Sequence, residues 1–312
     1  MHILMLGAGA MGSLLGARLS RTEADITLFS TNREHIQAIQ THGLAIEELD
    51  GSESHYKLTA CDHPHKIQDD ADLVIVLVKS YATQEALSSI LHRCHASTLF
   101  LTLQNGIGNW ENIARVVDTE SVLLGSTAQG ATFLEPGKIR HGGNGVTFIG
   151  EPRGPASHRV HCLVELFRRA GLETHSSDIM EQLIWEKLMV NAGINVITAL
   201  TGIRNGMIAD LETARELSRA TVEEAVRVAV ARGFEMPRNI MERVFKVAQA
   251  TAVNRSSMGQ DVDRKKRTEI DAINGAIVRF GEEEKIPTPV NRTLTQLVKI
   301  LEAGYLKEKE IP

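Results

Sequence analysis

In 312 residues the sequence has no uninterrupted apolar run of about 18, the length a membrane-crossing helix needs. Nor has it a block of five like charges, and the formal net charge is only −5. Neither a nucleic acid nor an acidic membrane surface is therefore expected as a partner. Cysteine is sparse: Cys61, Cys94 and Cys162 are scattered and odd in number, which fits a reducing cytoplasm. The paired, recurring ligand spacing of a zinc site is missing too. Two segments have the right residue types, Cys61-x-His63-x-His65 and His92-x-Cys94-His95. Pro64, Asp62 and Lys66 make the first read as a surface turn. The second lies near a helix end just before a strand. Solvated loops are the reading for both, a metal the alternative, and no metal is expected. The apolar Met1–Leu6 carries no basic leader and no cleavage site before a glycine-rich turn, so it is not read as a signal peptide. No internal repeat or low-complexity linker occurs. What remains is an ordinary globular balance, 43% hydrophobic and 23% charged, in a chain long enough for two domains or one large one.

The pattern along the chain changes once. Residues 2–7 and 25–30 read as short strands, with helical segments at 10–21 and 33–40 after them. Asp72 to Val78 is an almost continuous apolar run, the mark of a strand buried on both faces of a parallel sheet. Residues 97–103, 121–125, 146–150 and 172–175 give further strands, with a helix at about 156–170. Residues 134–145, rich in glycine around Pro136, read as a loop. Such alternation predicts an α/β, Rossmann-like domain over residues 1–176. From 177 to 312 strand signals nearly vanish. Helical periodicity covers 178–200, 208–232, 237–253, 260–283 and 289–305, which predicts an all-α second domain.

Gly7-Ala8-Gly9-Ala10-Met11-Gly12 is a G-x-G-x-x-G between a predicted strand and a predicted helix, the context that gives this otherwise weak motif its meaning. The first glycine permits a tight turn, the second lets backbone approach a pyrophosphate, and the third allows helix to pack on strand. An NAD enzyme usually carries Asp or Glu at the end of the second strand, for the ribose hydroxyls. Here the chain reads Phe29-Ser30-Thr31-Asn32-Arg33, with no carboxylate before Glu34. Hydroxyls, an amide and a guanidinium suit a 2′-phosphate, so NADPH/NADP+ is the expected cofactor. Arg33 also reads as a solvated first-turn residue of the next helix. Lys79 and Gln104-Asn105-Gly106 follow two further predicted strands, at the ends that face ligands in such sheets. The alternatives are a loop lysine and an Asn-Gly turn.

In the second domain, the stretch from Leu188 to Leu200 is apolar nearly all round, yet Lys187, Asn191 and Asn195 recur every four residues. At about 100° per residue they share one narrow stripe. Polar groups on a buried helix are costly unless satisfied. The reading is a stripe that lines a cleft, and a structural hydrogen-bond ladder to the neighbouring domain is the alternative.

Taken in order, these motifs together with Trp185-x-Lys187-x-x-x-Asn191-x-x-x-Asn195, Asn254-Arg255-Ser256-Ser257-Met258-x-x-Asp261 and Thr268-Glu269-Ile270-Asp271-x-x-Asn274-Gly275 resemble the ketopantoate reductase family over about residues 3 to 290. The resemblance implies that Lys187 is the general acid protonating a substrate carbonyl. It implies that Asn191, Asn195 and Asn205 hold the substrate's hydroxyl and carboxylate, and that Ser257 binds the carboxylate with Ser256 close by. Glu269 would orient the cofactor ribose or the lysine, Asn105 would sit between nicotinamide and substrate, and Ala131 would touch the cofactor through its backbone. From the residues alone, Ser256 and Ser257 also read as helix caps, and Glu269 as a solvated-edge carboxylate.

The expectation is thus a cytoplasmic NADPH-dependent reductase of a small 2-oxo acid, 2-dehydropantoate in the family's case, with a homodimer compatible. Three departures bear on it. Thr31 stands where the family usually has Arg, Ile203-Arg204-Asn205-Gly206 where it often has Cys-Pro-Asn-Gly, and Val196 where a proline is usual. Arg204 would favour another acid under the same mechanism. An opine-type or 6-phosphogluconate-type dehydrogenase also joins a Rossmann domain to a helical one, but the latter should have a longer helical part. A non-catalytic NADPH sensor would leave the Lys187 stripe without purpose.

Overall fold

The computed structural model describes residues 1–308. In chain order the first part runs β1 (His2–Leu6), α1 (Ala10–Leu19), β2 (Asp25–Phe29), α2 (Arg33–His42), β3 (Leu44–Glu47), β4 (Glu53–Tyr56), β5 (Thr59–Cys61), β6 (Ala71–Val76), α3 (Thr83–Ile90), β7 (Cys94–Thr102), α4 (Asn109–Ala114), β8 (Val122–Thr127), β9 (Gly130–Glu135), β10 (Lys138–Gly143), β11 (Thr147–Gly150), α5 (His158–Arg169) and β12 (Thr174–Ser176). Helices follow: α6 (Met180–Thr201), α7 (Met207–Asp210), α8 (Glu212–Ala231), α9 (Ile240–Ala250), α10 (Ser257–Asp263), α11 (Asn274–Glu283) and α12 (Pro289–Glu308).

The expected Rossmann-like sheet is present, eight-stranded in the order β12-β11-β8-β7-β6-β1-β2-β5. Only the β8–β11 pairing is antiparallel. β1 lies between β2 and β6, both parallel to it, so the strand order reverses at its C-terminal end. That is where ligands bind in open α/β sheets. The strands are legible because both faces are covered: His2 to Leu6 is buried throughout, as is Leu73 to Val76.

A second, four-stranded sheet, β4-β3-β10-β9, corrects the reading of 134–145 as a loop. Gly137 (φ +77°) turns the chain there, and β10 pairs antiparallel with β9 and parallel with β3. This sheet lies against α1. Arg18 fastens it, donating to Glu48 Oε1 at 2.9 Å and to the Tyr56 hydroxyl at 2.8 Å. The close packing of α1 on the large sheet falls to Gly16, where a Cβ would come within 2.6 Å of the Leu28 side chain.

The chain divides into two compact units, Met1–Gln104 with Asn109–Glu181, and Asn105–Gly108 with Gln182 onward. The helical unit has its own core around Trp185, which is 1% exposed and packs against Phe234 and Phe280 at ring distances of 5.6 and 5.8 Å. Truncating so large a buried ring typically costs about 3–5 kcal/mol. α6 is apolar and long enough at 22 residues to cross a membrane, but 61% of its most apolar window is buried inside the protein. The helix expected over 260–283 is interrupted. α10 stops at Asp263, Lys265 takes φ +52°, and Ile270–Ala272 form a single 3₁₀ turn before α11.

Candidate functional site

The glycine turn is built by backbone alone. The Gly7 and Ala8 N–H groups both donate to the Phe29 carbonyl, at 3.0 and 2.8 Å, tying the turn to the end of β2. Gly7 has φ +111°, and a Cβ there would lie 2.4 Å from the Val78 nitrogen. One on Gly12 would lie 2.3 Å from the Gly7 carbonyl oxygen. A Cβ on Gly9, in contrast, would meet nothing within 4 Å, so this glycine leaves open the space that phosphates need. The α1 ladder opens with Ser13 N–H to the Gly9 carbonyl at 2.9 Å. The N–H groups of Ala10, Met11 and Gly12 precede it, and no acidic residue stands in that first turn. Such a helix start suits a pyrophosphate.

At the end of β2, Thr31 and Arg33 are exposed. Asn32 has a local task, its Oδ1 accepting the His35 N–H at 3.3 Å as the N-cap of α2. Arg33 keeps 84% of its side chain exposed, with Nε 3.9 Å from Asp62 Oδ2. Asp62 is held more closely by Lys66, at 2.7 Å, which keeps its carboxyl below the usual range. Lys66, four residues after Asp62 in the turn that follows β5, thus shares that carboxylate with Arg33. Gln104 braces the loop after β6, donating from Nε2 to the Val78 carbonyl at 2.7 Å and the Thr83 hydroxyl at 2.8 Å. The half-buried Lys79 lies in that loop. Ala131 is half-buried in β9, opposite His141.

The helical unit holds the other group of residues. Lys187, Asn191 and Asn195 follow one another along α6. Burial pushes the Lys187 ammonium down to about 8, and Glu269 draws it partly back. Glu269 is 8% exposed, immediately before the 3₁₀ turn, so it is not the solvated-edge carboxylate of a continuous helix. Asn191 Nδ2 and Asn205 Oδ1 are buried with no hydrogen-bond partner among the described residues. The other side of Asn205 is anchored, Nδ2 donating to Thr251 Oγ1 at 3.0 Å. Of the serines, Ser256 is the cap: its hydroxyl oxygen accepts from Gly259 N–H at 3.0 Å and from the Thr198 hydroxyl at 2.7 Å. Ser257 is exposed at the first turn of α10. Arg204 is exposed and donates to the Val253 carbonyl at 3.2 Å. Asn105 belongs to this unit through its neighbours, since Ile107 N–H donates to the Ala272 carbonyl at 3.0 Å.

An amide buried without a partner costs about 1–3 kcal/mol, which a ligand can recover. Asn191→Leu should therefore leave the melting temperature at or above that of the unsubstituted protein, while raising KM for the oxo acid by about tenfold or more. A lower melting temperature with unchanged KM would make Asn191 a structural residue.

A Rossmann-like unit opened by a G-x-G-x-x-G turn and followed in the chain by a helical unit is the build of a nicotinamide-dependent oxidoreductase. Its family is shown by comparison. Residues 3–154 match the family described as ketopantoate reductase PanE/ApbA, and residues 179–302 match that family's C-terminal part. The chain belongs to the ketopantoate reductase family. It is 37% identical to a 2-dehydropantoate 2-reductase of Halobacterium salinarum over 96% of this chain and 98% of that one. The crystal structure of a PanE/ApbA family ketopantoate reductase from Ralstonia eutropha superposes with a TM-score of 0.89 at 32% identity, covering 98% of this chain and 100% of that one. A D-mandelate dehydrogenase in a ternary structure with NADH and anilino(oxo)acetate gives 0.90 at 28% identity, covering 98% and 99%.

Proposed function

We propose that the protein reduces 2-dehydropantoate to pantoate with NADPH, in the cytoplasm. The observation that carries this reading is Lys187, whose ammonium is shifted by burial to about 8 and lies on the same helical stripe as the unpartnered amide of Asn191. Relatives at similar identity carry the 2-dehydropantoate 2-reductase name over nearly the whole chain.

The glycine turn with the α1 N–H groups would hold the dinucleotide's pyrophosphate, and Thr31 and Arg33 its 2′-phosphate. Lys79, Asn105 and Ala131 would contact the rest. Bound there, the nicotinamide supplies a hydride for the keto carbon. Asn191, Asn195, Asn205 and Ser257 would hold the acid's carboxylate and hydroxyl. Lys187 places a cation at the carbonyl oxygen and gives up its Nζ proton as that oxygen becomes an alcohol. Glu269 favours the protonated lysine before transfer.

The test is loss of nicotinamide absorbance with NADPH or NADH and a panel of 2-oxo acids led by 2-dehydropantoate. Rapid oxidation of NADPH with that acid alone is expected. Turnover of a different acid would keep the mechanism and move the substrate, with Arg204 the first residue to exchange. For cofactor choice, Arg33→Ala should raise KM for NADPH by about tenfold and leave NADH nearly unchanged. Equal effects on both would remove Arg33 from 2′-phosphate recognition.

A further inference from the structure

Three hydrogen bonds run in series beneath the glycine turn, and their direction is set by one fixed donor. The Gly137 N–H, in the β9–β10 turn, donates to His35 Nδ1 at 2.9 Å. A backbone N–H can only donate, so Nδ1 carries no proton and the tautomer is the Nε2–H form. Nε2 lies 3.0 Å from Ser13 Oγ, which therefore accepts from it. The Ser13 hydroxyl hydrogen is then left for the Ala8 carbonyl, at 3.5 Å. His35 and Ser13 are both fully buried, and the imidazole packs against Phe133 at a ring distance of 4.9 Å. Burial pushes its pKa down to about 4, so the neutral form that this series requires is kept at neutral pH.

The far end of the series is the turn itself. The Ala8 carbonyl belongs to the same peptide as the Gly9 N–H, which donates to the Gly7 carbonyl at 2.8 Å. That peptide is thus held at both ends, with Gly9 at the open place in the turn. The near end is the second sheet, where Gly137 packs so tightly on α2 that a Cβ would come within 2.9 Å of Ala38. His35 also receives the Asn32 cap on its own backbone N–H, three residues after the capping residue that follows Thr31.

We propose that His35 is a positioning residue for dinucleotide binding: acting through Ser13, it holds the glycine turn at a set distance from the second sheet and from the start of α2. The proposal rests on the reading that this turn binds a nicotinamide dinucleotide. His35 touches no part of the ligand in this account; it fixes the backbone that does. Because the pyrophosphate is common to NADPH and NADH, the effect of losing His35 falls on both, unlike that of Arg33.

The experiment measures dissociation constants of NADPH and NADH by nucleotide fluorescence for Ser13→Ala, His35→Leu and the double variant, with kcat at saturating cofactor and melting temperature alongside. Each single variant should weaken both cofactors about tenfold, as loss of a buried hydrogen bond would, and leave saturated kcat within about twofold. The double variant should bind no more weakly than His35→Leu, since the two groups act in series. Unchanged dissociation constants with a lowered melting temperature would make the series purely structural and overturn the proposal, as would additive losses in the double variant. Should His35→Leu fail to fold, Ser13→Ala decides alone: unaltered affinity overturns the proposal, weakened affinity for both cofactors supports it. If the unsubstituted protein binds neither dinucleotide, the functional reading fails and this proposal with it; binding that is normal but insensitive to both variants overturns the proposal alone.

Discussion

Replacing Lys187 with alanine is expected to lower kcat by about 10²-fold or more while dinucleotide binding persists. The residue combines two properties that a proton donor to a forming alkoxide needs. It is a cation, placed by the proposed reading at the carbonyl oxygen, and its proton is held less tightly than on an ordinary lysine. Burial moves the ammonium from 10.5 down to about 8, against the partial pull of Glu269. A pH profile gives the second half of the same test. The acid form is the active form in the reducing direction, so kcat/KM should be flat below about 8 and fall about tenfold per pH unit above it. Lys187→Arg keeps the charge but holds its proton far more firmly, so it should bind the acid, turn over slowly and lose the break near 8. Near-normal turnover in Lys187→Ala, measured at saturating cofactor and acid, would remove Lys187 from the mechanism.

The parts of the fold legible in the sequence are those where burial is complete on both faces. β1 from Ile3 and β6 from Leu73 are continuous apolar runs because every residue there is buried. The second sheet escapes the same reading. Glu53–Tyr56 is half-exposed and polar, and Lys138–Gly143 mixes charge with glycine, so neither carries an apolar run or a clear alternation. Its strands form because long-range pairing and the partly buried Arg18–Glu48 ion pair hold them, and no local pattern reports either. The break at 264–273 was hidden for the opposite reason. Apolar residues continue at helical spacing through Ile270, Ile273 and Ile277, although Lys265 has already turned the chain. In the glycine turn each motif glycine has a task visible in the backbone, but Gly16, outside the motif, makes the closest approach to the sheet side chains. The α6 stripe was legible as a pattern; that Asn191 Nδ2 lacks a partner, while Asn205 outside the stripe is anchored on one side by Thr251, was not, because both depend on residues distant in sequence.

Gly106→Ala is expected to reduce kcat by about 10–100-fold with a smaller effect on dinucleotide affinity. The chain bends at Asn105-Gly106, which lays Gly106 and Ile107 against Ala272, three residues after Glu269. Gly106 has φ +85°, a conformation that an L residue adopts only at a cost of about 1–2 kcal/mol. Strain alone would be tolerable. The larger obstacle is space: a Cβ would lie 2.4 Å from the Ala272 carbonyl oxygen and 2.7 Å from the Ala272 Cβ. Backbone cannot swing aside as a long side chain can, so residues 105–108 and 270–272 must separate. That separation stretches the Ile107 N–H to Ala272 bond, 3.0 Å in the intact protein, and carries Asn105 and Glu269 apart. A displacement of about 1 Å at a group that orients a reaction can cost about 10²-fold in rate. The glycine turn at Gly7–Gly12 belongs to the other compact unit, which is why the smaller effect is expected on dinucleotide affinity. Steady-state kinetics and a fluorescence titration on one preparation separate the two effects. Full turnover in Gly106→Ala would mean that the 105–108 segment can retreat without moving anything the reaction uses, and that Asn105 is a turn residue only.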